Sequence, residues 1–239
     1  TETQLNQCEN AIASGADALL FIPFDKDGAA PIIDNCNEAG IPVICCNNIT
    51  TNVDQATAYV GANDVEAGIM ETEYIVDLIG GKGNIAVVEG PFGHSAQVAR
   101  QEGLEQVLAG YPDCKIVLDD TANWNRDEAM ELVENWIAGG TQIDAIICHN
   151  DIMAMGALQA CQDAGLEIPI IGIDATYDAL CAVKDGTLAA DVYQDVYGQA
   201  EEAFNVCMRI LNGETFEQTT YVPFKLITKD NVDEYLANF

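Results

Sequence analysis

Hydrophobic and polar positions along the chain form a unit that recurs six times. In each copy an amphipathic helix ends at a glycine, and a short apolar strand begins a few residues later. The copies are AIASGADALLFI, NEAGIPVICC, DLIGGKGNIAVVE, VLAGYPDCKIVL, WIAGGTQIDAIIC and QDAGLEIPIIGI. Glycine suits the left-handed residue that closes a helix, and continuous apolar strands suit a parallel sheet covered on both faces. The pattern therefore predicts a doubly wound α/β fold with right-handed crossovers.

Polar and aromatic side chains follow nearly every predicted strand. In a doubly wound sheet, ligands bind in the crevice beyond the carboxyl ends of the strands. We expect Asp151 to cap a helix that begins at Ile152. The residues at these strand ends are Asn47 and Asn48, Gly90 to His94, Asn123 and Trp124, His149 to Asp151, and Asp174.

The pattern opens in a helix, predicted from Glu2 to Ser14, and the first predicted strand runs from Ala18 to Ile22. Too few strands precede Asn47 to form the switch point that makes a crevice. We therefore expect the first lobe to lack one βαβ unit, which lies upstream or comes from another polypeptide.

Charge excludes two classes of partner. The 239 residues include 9 Lys and Arg against 39 Asp and Glu, a formal net charge of -30. Such a charge repels nucleic acid phosphates and anionic lipid surfaces. No apolar run approaches the roughly 20 residues that span a bilayer. The first ten residues contain no leader, although leaders are removed on export.

The nine cysteines form no CxxC pair, and most lie in apolar segments. There a thiol acts as a small hydrophobic side chain, so we interpret them as core residues. Many unpaired thiols are typical of a reducing compartment. The cysteines thus favour the cytoplasm, in tension with export.

Six longer segments carry a resemblance to a known family. They are VICCNN, EGPFGHSAQVARQEG, ANWNRDEAMELVENWIAGG, CHNDIMAMGALQA, IIGIDATYDALCAVKDGTLAADVYQD and VPFKLITKDNVDEYL. They resemble the periplasmic sugar-binding proteins of ABC transporters, especially the glucose/galactose- and ribose-binding proteins. The resemblance covers essentially the whole chain. It implies the type I fold, in which two lobes joined by a three-crossing hinge close over one sugar and do no chemistry on it.

The resemblance also implies lobe boundaries and a set of ligand contacts. The N-terminal lobe would comprise residues 1–62 and 195–221, and the C-terminal lobe residues 63–194 and 222–239. Eight residues match positions that bind the sugar in the family: Asn47, Asn48, His94, Arg100, Trp124, Asn150, Asp174 and Gln194.

The chemistry of these residue types suits a sugar. An amide both donates and accepts, a guanidinium donates to neighbouring hydroxyls, and an ionised carboxylate accepts from two hydroxyls. The C–H face of a pyranose stacks on an indole. Structural alternatives stay open: Asn47 could form a turn, Arg100 an ion pair, and Trp124 a cap on the core. Gln194 matches ribose binders while Trp124 matches hexose binders, so the sugar is not determined.

Metal, cofactor and enzyme functions find no support in the sequence. The segment GGKGN lacks the alternating oxygen ligands of a calcium loop and the spacing of a phosphate loop. Two histidines and no GxSxG argue against a zinc enzyme or a serine hydrolase. We expect no metal, no cofactor and no enzymatic activity.

The sequence therefore predicts an extracytoplasmic solute-binding protein, exported with a signal peptide or as a lipoprotein. As a monomer it would capture a hexose, pentose or polyol for an ABC transporter permease. The alternative is the effector-binding domain of a lactose-repressor-like regulator. Free cysteines favour that alternative, whereas the charge and the tail VPFKLITKDNVDEYL count against it.

Overall fold

The computed structural model describes residues 1–237 and 239, and the chain divides into two compact units. Unit 1 comprises Thr1–Asn63 and Asp195–Pro223, and unit 2 comprises Asp64–Gln194 and Phe224–Phe239. The chain therefore passes from one unit to the other three times.

Helices and strands alternate along most of the chain. In order they are α1 (Glu2–Ala13), β1 (Leu19–Phe21), α2 (Ala30–Ala39), β2 (Val43–Asn47), β3 (Ala58–Gly61), α3 (Asp64–Leu78), β4 (Gly83–Glu89), α4 (Ser95–Leu108), β5 (Cys114–Thr121), α5 (Arg126–Ala138), β6 (Ala145–Cys148), α6 (Asp151–Asp163), β7 (Ile170–Ile173), α7 (Tyr177–Asp185), β8 (Ala190–Tyr193), α8 (Val196–Leu211), β9 (Thr219–Tyr221), β10 (Lys225–Ile227) and α9 (Val232–Leu236). No helix in the described part of the chain is long and apolar enough to cross a membrane.

Unit 1 is built on a parallel sheet of order β1-β2-β3-β9. Successive strand residues point to opposite faces of a sheet. Val43 and Cys45 accordingly join the core formed with α1 and α2, while Ile44 joins the core formed with α8. A strand that is buried on both faces needs the continuous apolar run seen in its sequence.

Strand β1 forms an edge of the unit 1 sheet, because in the described chain it pairs with β2 alone. It is shorter than the predicted strand by one residue at each end. Leu20 and Ile22 are exposed at this edge. The upstream βαβ unit stays a prediction.

Unit 2 contains a sheet of order β10-β8-β7-β6-β4-β5. All neighbours are parallel except β10, which pairs antiparallel with β8. Helix α3 packs against β6, β7 and β8, while α6 packs against β6 and β7. Ala86, Val88, Ile146 and Cys148 lie in the core that the sheet shares with α5, α6 and α7. The predicted α/β class with parallel sheets is confirmed.

Helices α3 and α4 approach each other closely at two glycines. A Cβ atom on Gly68 would overlap the backbone carbonyl of Arg100, and one on Gly103 would overlap the carbonyl of Val65. Only glycine permits this approach, because it has no Cβ atom. The approach sets the position of Arg100 relative to the start of α3.

Candidate functional site

The carboxyl edge of the unit 2 sheet gathers polar side chains from separate parts of the chain. Parallel strands end at the same edge, so the residues that follow β6, β7 and β8 are neighbours. These residues are Asn150, Asp174 and Gln194 respectively. All three were predicted as ligand contacts.

Arg100 is the central cation of this edge and is 4% exposed. Its Nη2 lies 2.9 Å and its Nε 3.0 Å from Oδ1 of Asp64, and its Nη1 donates to the carbonyl of His149. Burial alone would lower the pKa of Arg100, but the carboxyls of Asp64, Asp174 and Glu71 together raise it. The side chain therefore stays charged, and the structural ion pair left open by the sequence is present.

Asp64 was not among the residues predicted from the sequence. It is the first residue of α3, where an acidic side chain is ordinarily a helix-start signal. Only the close crossing of α3 and α4 turns it into the partner of Arg100.

Trp124 supplies an aromatic side chain next to this cation. Its ring centroid lies 5.8 Å from the Arg100 guanidinium carbon, and it meets the His94 ring edge-on at 5.4 Å. The indole lies against Gly90, where any side chain would overlap it. His94 also caps α4, because its Nδ1 accepts from the backbone N–H of Ala96 at 3.2 Å.

Asn150 is the N-cap of α6, and this corrects the prediction that Asp151 caps a helix beginning at Ile152. Asn150 has extended backbone angles, and its Oδ1 accepts from the Met153 N–H at 3.0 Å. The helix starts one residue earlier, so Asp151 lies inside its first turn. The Asp151 carboxylate instead accepts from the Thr176 N–H at 2.6 Å. The Asn150 amide group remains available as a donor at the edge of the sheet.

Asp174 follows β7 in an uncommon conformation, with φ of 132°. Burial raises the pKa of its carboxyl to about 7; Arg100 opposes this, while Asp151 and Asp64 reinforce it. A carboxylate held near one guanidinium can accept from two hydroxyls.

The structure brings five of the predicted residues into one cluster. His94 and Arg100 contact Trp124, Arg100 bonds the residue before Asn150, and it acts electrostatically on Asp174. Gln194, 9% exposed, lies at the same edge. Ligand contact by these residues stays a prediction.

The two predicted ligand contacts of unit 1 form hydrogen bonds within that unit. Asn47, with φ of 60°, donates from Nδ2 to Oε1 of Gln199 at 2.9 Å. Asn48 donates from Nδ2 to the carbonyl of Pro23 at 3.0 Å. Asn47 and Gln199 are the polar residues lining a cavity of about 330 Å³ whose other walls are largely apolar. Gln199 was not predicted from the sequence, and its buried Nε2 has no hydrogen-bond partner among the described residues.

Two further buried groups of unit 2 were not among the predicted ligand contacts. His149 is fully buried, and burial together with Arg100 lowers its pKa to about 3, so the imidazole is neutral. Burial raises the pKa of Glu71 well above its ordinary value. Neither side chain has a hydrogen-bond partner in the described chain. Both lie close to the central cation, since each interacts electrostatically with Arg100.

The cysteine thiols of the described chain are unpaired, and most are buried. Burial raises the pKa of Cys45 to about 12 and that of Cys36 to about 11. The thiolate is the reactive form, so such thiols are chemically inert. No group of three His, Cys, Asp or Glu side chains with a metal-binding arrangement occurs among the described residues.

Comparison with known proteins identifies the family. The periplasmic binding protein domain matches residues 1–215. A xylitol-binding protein of Mycolicibacterium smegmatis is 39% identical, and the match covers 97% of this chain and 66% of that protein. A putative rhizopine-binding protein of Rhizobium meliloti is 37% identical, and the match covers 97% of this chain and 78% of that protein. The chain thus spans just under two thirds of the first relative.

A solved structure agrees with these sequence matches. An ABC transporter solute-binding protein of Bacillus halodurans, with bound myo-inositol, has a TM-score of 0.96 and 40% identity, over 100% of this chain and 83% of that one. These matches agree with the alternation of helices and strands and with the polar carboxyl edge of the unit 2 sheet. The chain belongs to the periplasmic binding protein family.

Proposed function

We propose that this protein is an extracytoplasmic solute-binding protein that captures a monosaccharide or a polyol for uptake by an ABC transporter. The observation that carries the proposal is the cluster at the carboxyl edge of unit 2. There Arg100, Asp174, Asn150 and Trp124 provide donors, an acceptor and an aromatic surface in one place.

The ligand chemistry follows from the charges of this cluster. Arg100 is balanced by Asp64 and Asp174, so the site has no spare cation for a phosphate or carboxylate ligand. Neutral hydroxyl groups match a mixture of donors and acceptors. A carbon ring with C–H groups on one face would lie on the indole of Trp124.

Within this class the relatives favour a polyol. One relative is a xylitol-binding protein, and one similar solved structure contains myo-inositol. Both molecules carry only hydroxyl groups, as the cluster requires. The same matches support solute binding over the effector domain of a regulator.

Partners and location are part of the same proposal. The protein would act as a monomer outside the cytoplasm and deliver its ligand to a membrane permease. Free cysteines are compatible with that location, because burial keeps most of the thiols protonated and inaccessible.

Isothermal titration calorimetry of the full-length protein tests the function. The panel contains myo-inositol, xylitol, ribose, xylose, glucose and galactose. We expect saturable binding of at least one polyol with one site per chain. Binding of no member of the panel would contradict the proposal.

A pair of tryptophan variants tests the site. Trp124→Leu should weaken binding of a cyclic ligand by roughly three- to tenfold, since aromatic contacts contribute about 0.5–1.5 kcal/mol. Trp136→Leu is the matched control, because Trp136 packs against the core of unit 2. It should lower the melting temperature and leave the affinity unchanged. Equal affinities for the two variants would argue against a site at Trp124.

A further inference from the structure

Two buried carboxyls of unit 2 are adjacent. Asp151 in α6 and Asp191 in β8 are both 0% exposed. Gly172 of β7 pairs with Asp191 in the sheet, and a Cβ on Gly172 would lie 2.5 Å from Oδ1 of Asp151. Asp151 therefore lies over the strand beside Asp191, and each carboxyl acts on the pKa of the other.

The oxygen atoms of this pair divide into two sets. Oδ2 of Asp151 accepts from the Thr176 N–H at 2.6 Å, and Oδ1 of Asp191 accepts from the Ala175 N–H at 3.3 Å. The remaining oxygens, Oδ1 of Asp151 and Oδ2 of Asp191, are buried and receive no N–H or O–H from the other described residues. Carboxylates only accept, so a bond between these two oxygens requires a proton on one of them. One proton shared between them would give both oxygens a partner.

Electrostatics places that proton on Asp191. Burial raises the pKa of Asp191 well above its ordinary value, and Asp151 and Asp174 raise it further. Burial raises the pKa of Asp151 to about 6, opposed by the bonds from Thr176 and Asp191 and by Arg100. Two adjacent buried carboxylates cannot both be ionised, so the charge stays on Asp151, where Arg100 acts on it.

Few other titratable groups act on the pair. Arg100 attracts the charge of Asp151, and Asp174 repels charge on either carboxyl. Cys148 also interacts with Asp151, but burial raises the pKa of its thiol well above its ordinary value, so it is neutral. Glu71 acts on Arg100 and on Cys148.

The pair holds the segment that carries Asp174. Asp174 and Ala175 have φ of 132° and 61°, in a region that residues with a Cβ rarely adopt. Such conformations persist where the surroundings hold the backbone in place. Here the backbone N–H groups of Ala175 and Thr176 are bound by the two carboxyls.

We propose that Asp151 and Asp191 share one proton and that this carboxyl pair positions residues 174–176, so that the Asp174 carboxylate is held for the ligand. Both are positioning residues. The positioning role rests on the proposed function, whereas the shared proton does not.

Two substitutions at Asp191 separate the shared proton from simple packing. Asp191→Asn keeps an acceptor for Ala175 and provides an N–H donor to Asp151, so affinity should stay within about twofold of the wild type. Asp191→Leu leaves Oδ1 of Asp151 without a donor and the Ala175 N–H without an acceptor. Affinity should then fall roughly tenfold or more. Wild-type affinity in Asp191→Leu would overturn the positioning role, and equal losses in both variants would overturn the shared proton.

The proton itself is observable in the ligand-free protein by infrared spectroscopy. The comparison is made between the Asp174→Asn protein, called the parent, and the same protein with Asp191→Asn added. At about pH 8 their difference spectrum should show the C=O band of a protonated carboxyl in the parent alone. Protonated Glu71 is common to both proteins and cancels. Asp151→Asn is the second variant, because its amide would donate to an ionised Asp191 and also remove the band.

A stability measurement gives an independent check. Because the pKa of Asp191 is raised in the folded state, the free energy of unfolding falls as the pH rises above about 3.9, the unfolded value. The melting temperature of Asp191→Asn relative to the wild type should therefore increase from about pH 5 to about pH 8. Absence of both the band and this trend would overturn the shared proton, even if sugars bind. A band without any sugar binding would instead contradict the proposed function.

Discussion

Asp174 is a carboxyl whose charge the surrounding residues control. Burial raises its pKa to about 7, and Arg100 is the group that opposes the shift. The ionised form is the one that accepts from two hydroxyls. If Asp174 contacts the ligand as proposed, affinity depends on the protonation of this single residue at the carboxyl edge of unit 2.

Asp174→Asn tests this assignment. Hydrogen bonds to a charged group contribute about 1.5–3 kcal/mol, so affinity should fall roughly tenfold to a hundredfold. Wild-type affinity should rise from about pH 5 to about pH 8 as Asp174 ionises, and the variant should show no such rise. Calorimetry across this pH range provides the measurement.

The control for Asp174→Asn lies at the start of α7. Asp178 is exposed, and Asp178→Asn should bind like the wild type at every pH. Stability gives a second check, since a raised carboxyl pKa means stability lost as the pH rises through about 7. The melting temperature of ligand-free Asp174→Asn should not fall below that of the wild type at about pH 8. A large fall would indicate a structural role instead.

Helices α3 and α4 form the element contact that places Arg100. Their backbones approach so closely that Gly68 and Gly103 have no room for a Cβ. The contact sets Asp64, at the first residue of α3, against the guanidinium in α4. The position of the cation is therefore decided by helix packing as well as by its own hydrogen bonds.

Gly68→Ala tests the importance of this crossing. The methyl group would overlap the Arg100 carbonyl and force the helices apart, at about 1–3 kcal/mol of unfolding free energy. Urea denaturation measures this loss, and affinity for the ligand should fall as well. Gly139→Ala is the control, because its methyl group would make only ordinary contacts at 3.4 Å. Equal stability of the two variants would contradict a tight crossing.

At the scale of the whole molecule, the dominant property is the net charge of -30. Like charges on one folded chain repel each other and destabilise the compact state. Salt screens this repulsion, with a Debye length that falls from about 30 Å at 0.01 M to about 8 Å at 0.15 M. The affinity for a neutral ligand, by contrast, does not depend on this screening.

We therefore expect the melting temperature to rise between about 0.01 M and 0.15 M NaCl, while polyol affinity changes by less than about twofold. Scanning calorimetry and titration calorimetry at the two salt concentrations measure these effects. KCl should act like NaCl, since screening depends on ionic strength. A salt-dependent affinity would mean that a charged ligand, or a charged part of the site, had been overlooked.

The sequence by itself determined the architecture and the sheet edge that carries the candidate site. Alternating helices, glycines and β-branched strands are local signals, and each depends on a few neighbouring residues. Asn150 and Asp174 come just after predicted strands, so their place at the carboxyl edge of unit 2 followed from the strand pattern, whereas Gln194 was predicted only from the family resemblance. Strand β10 was not foreseen, because three residues carry too little pattern to indicate an antiparallel edge.

Only the tertiary structure decided which charges meet. Asp64 and Arg100 are 36 positions apart, and their ion pair depends on two glycines that let helices touch. The residues around Asp151 predicted that it caps a helix, yet its carboxylate accepts from the backbone N–H of Thr176, 25 positions away, and acts on the buried carboxyl of Asp191. A buried carboxyl takes its partners from whatever packing brings near it, and those partners set its protonation. No local pattern in the sequence contains that information.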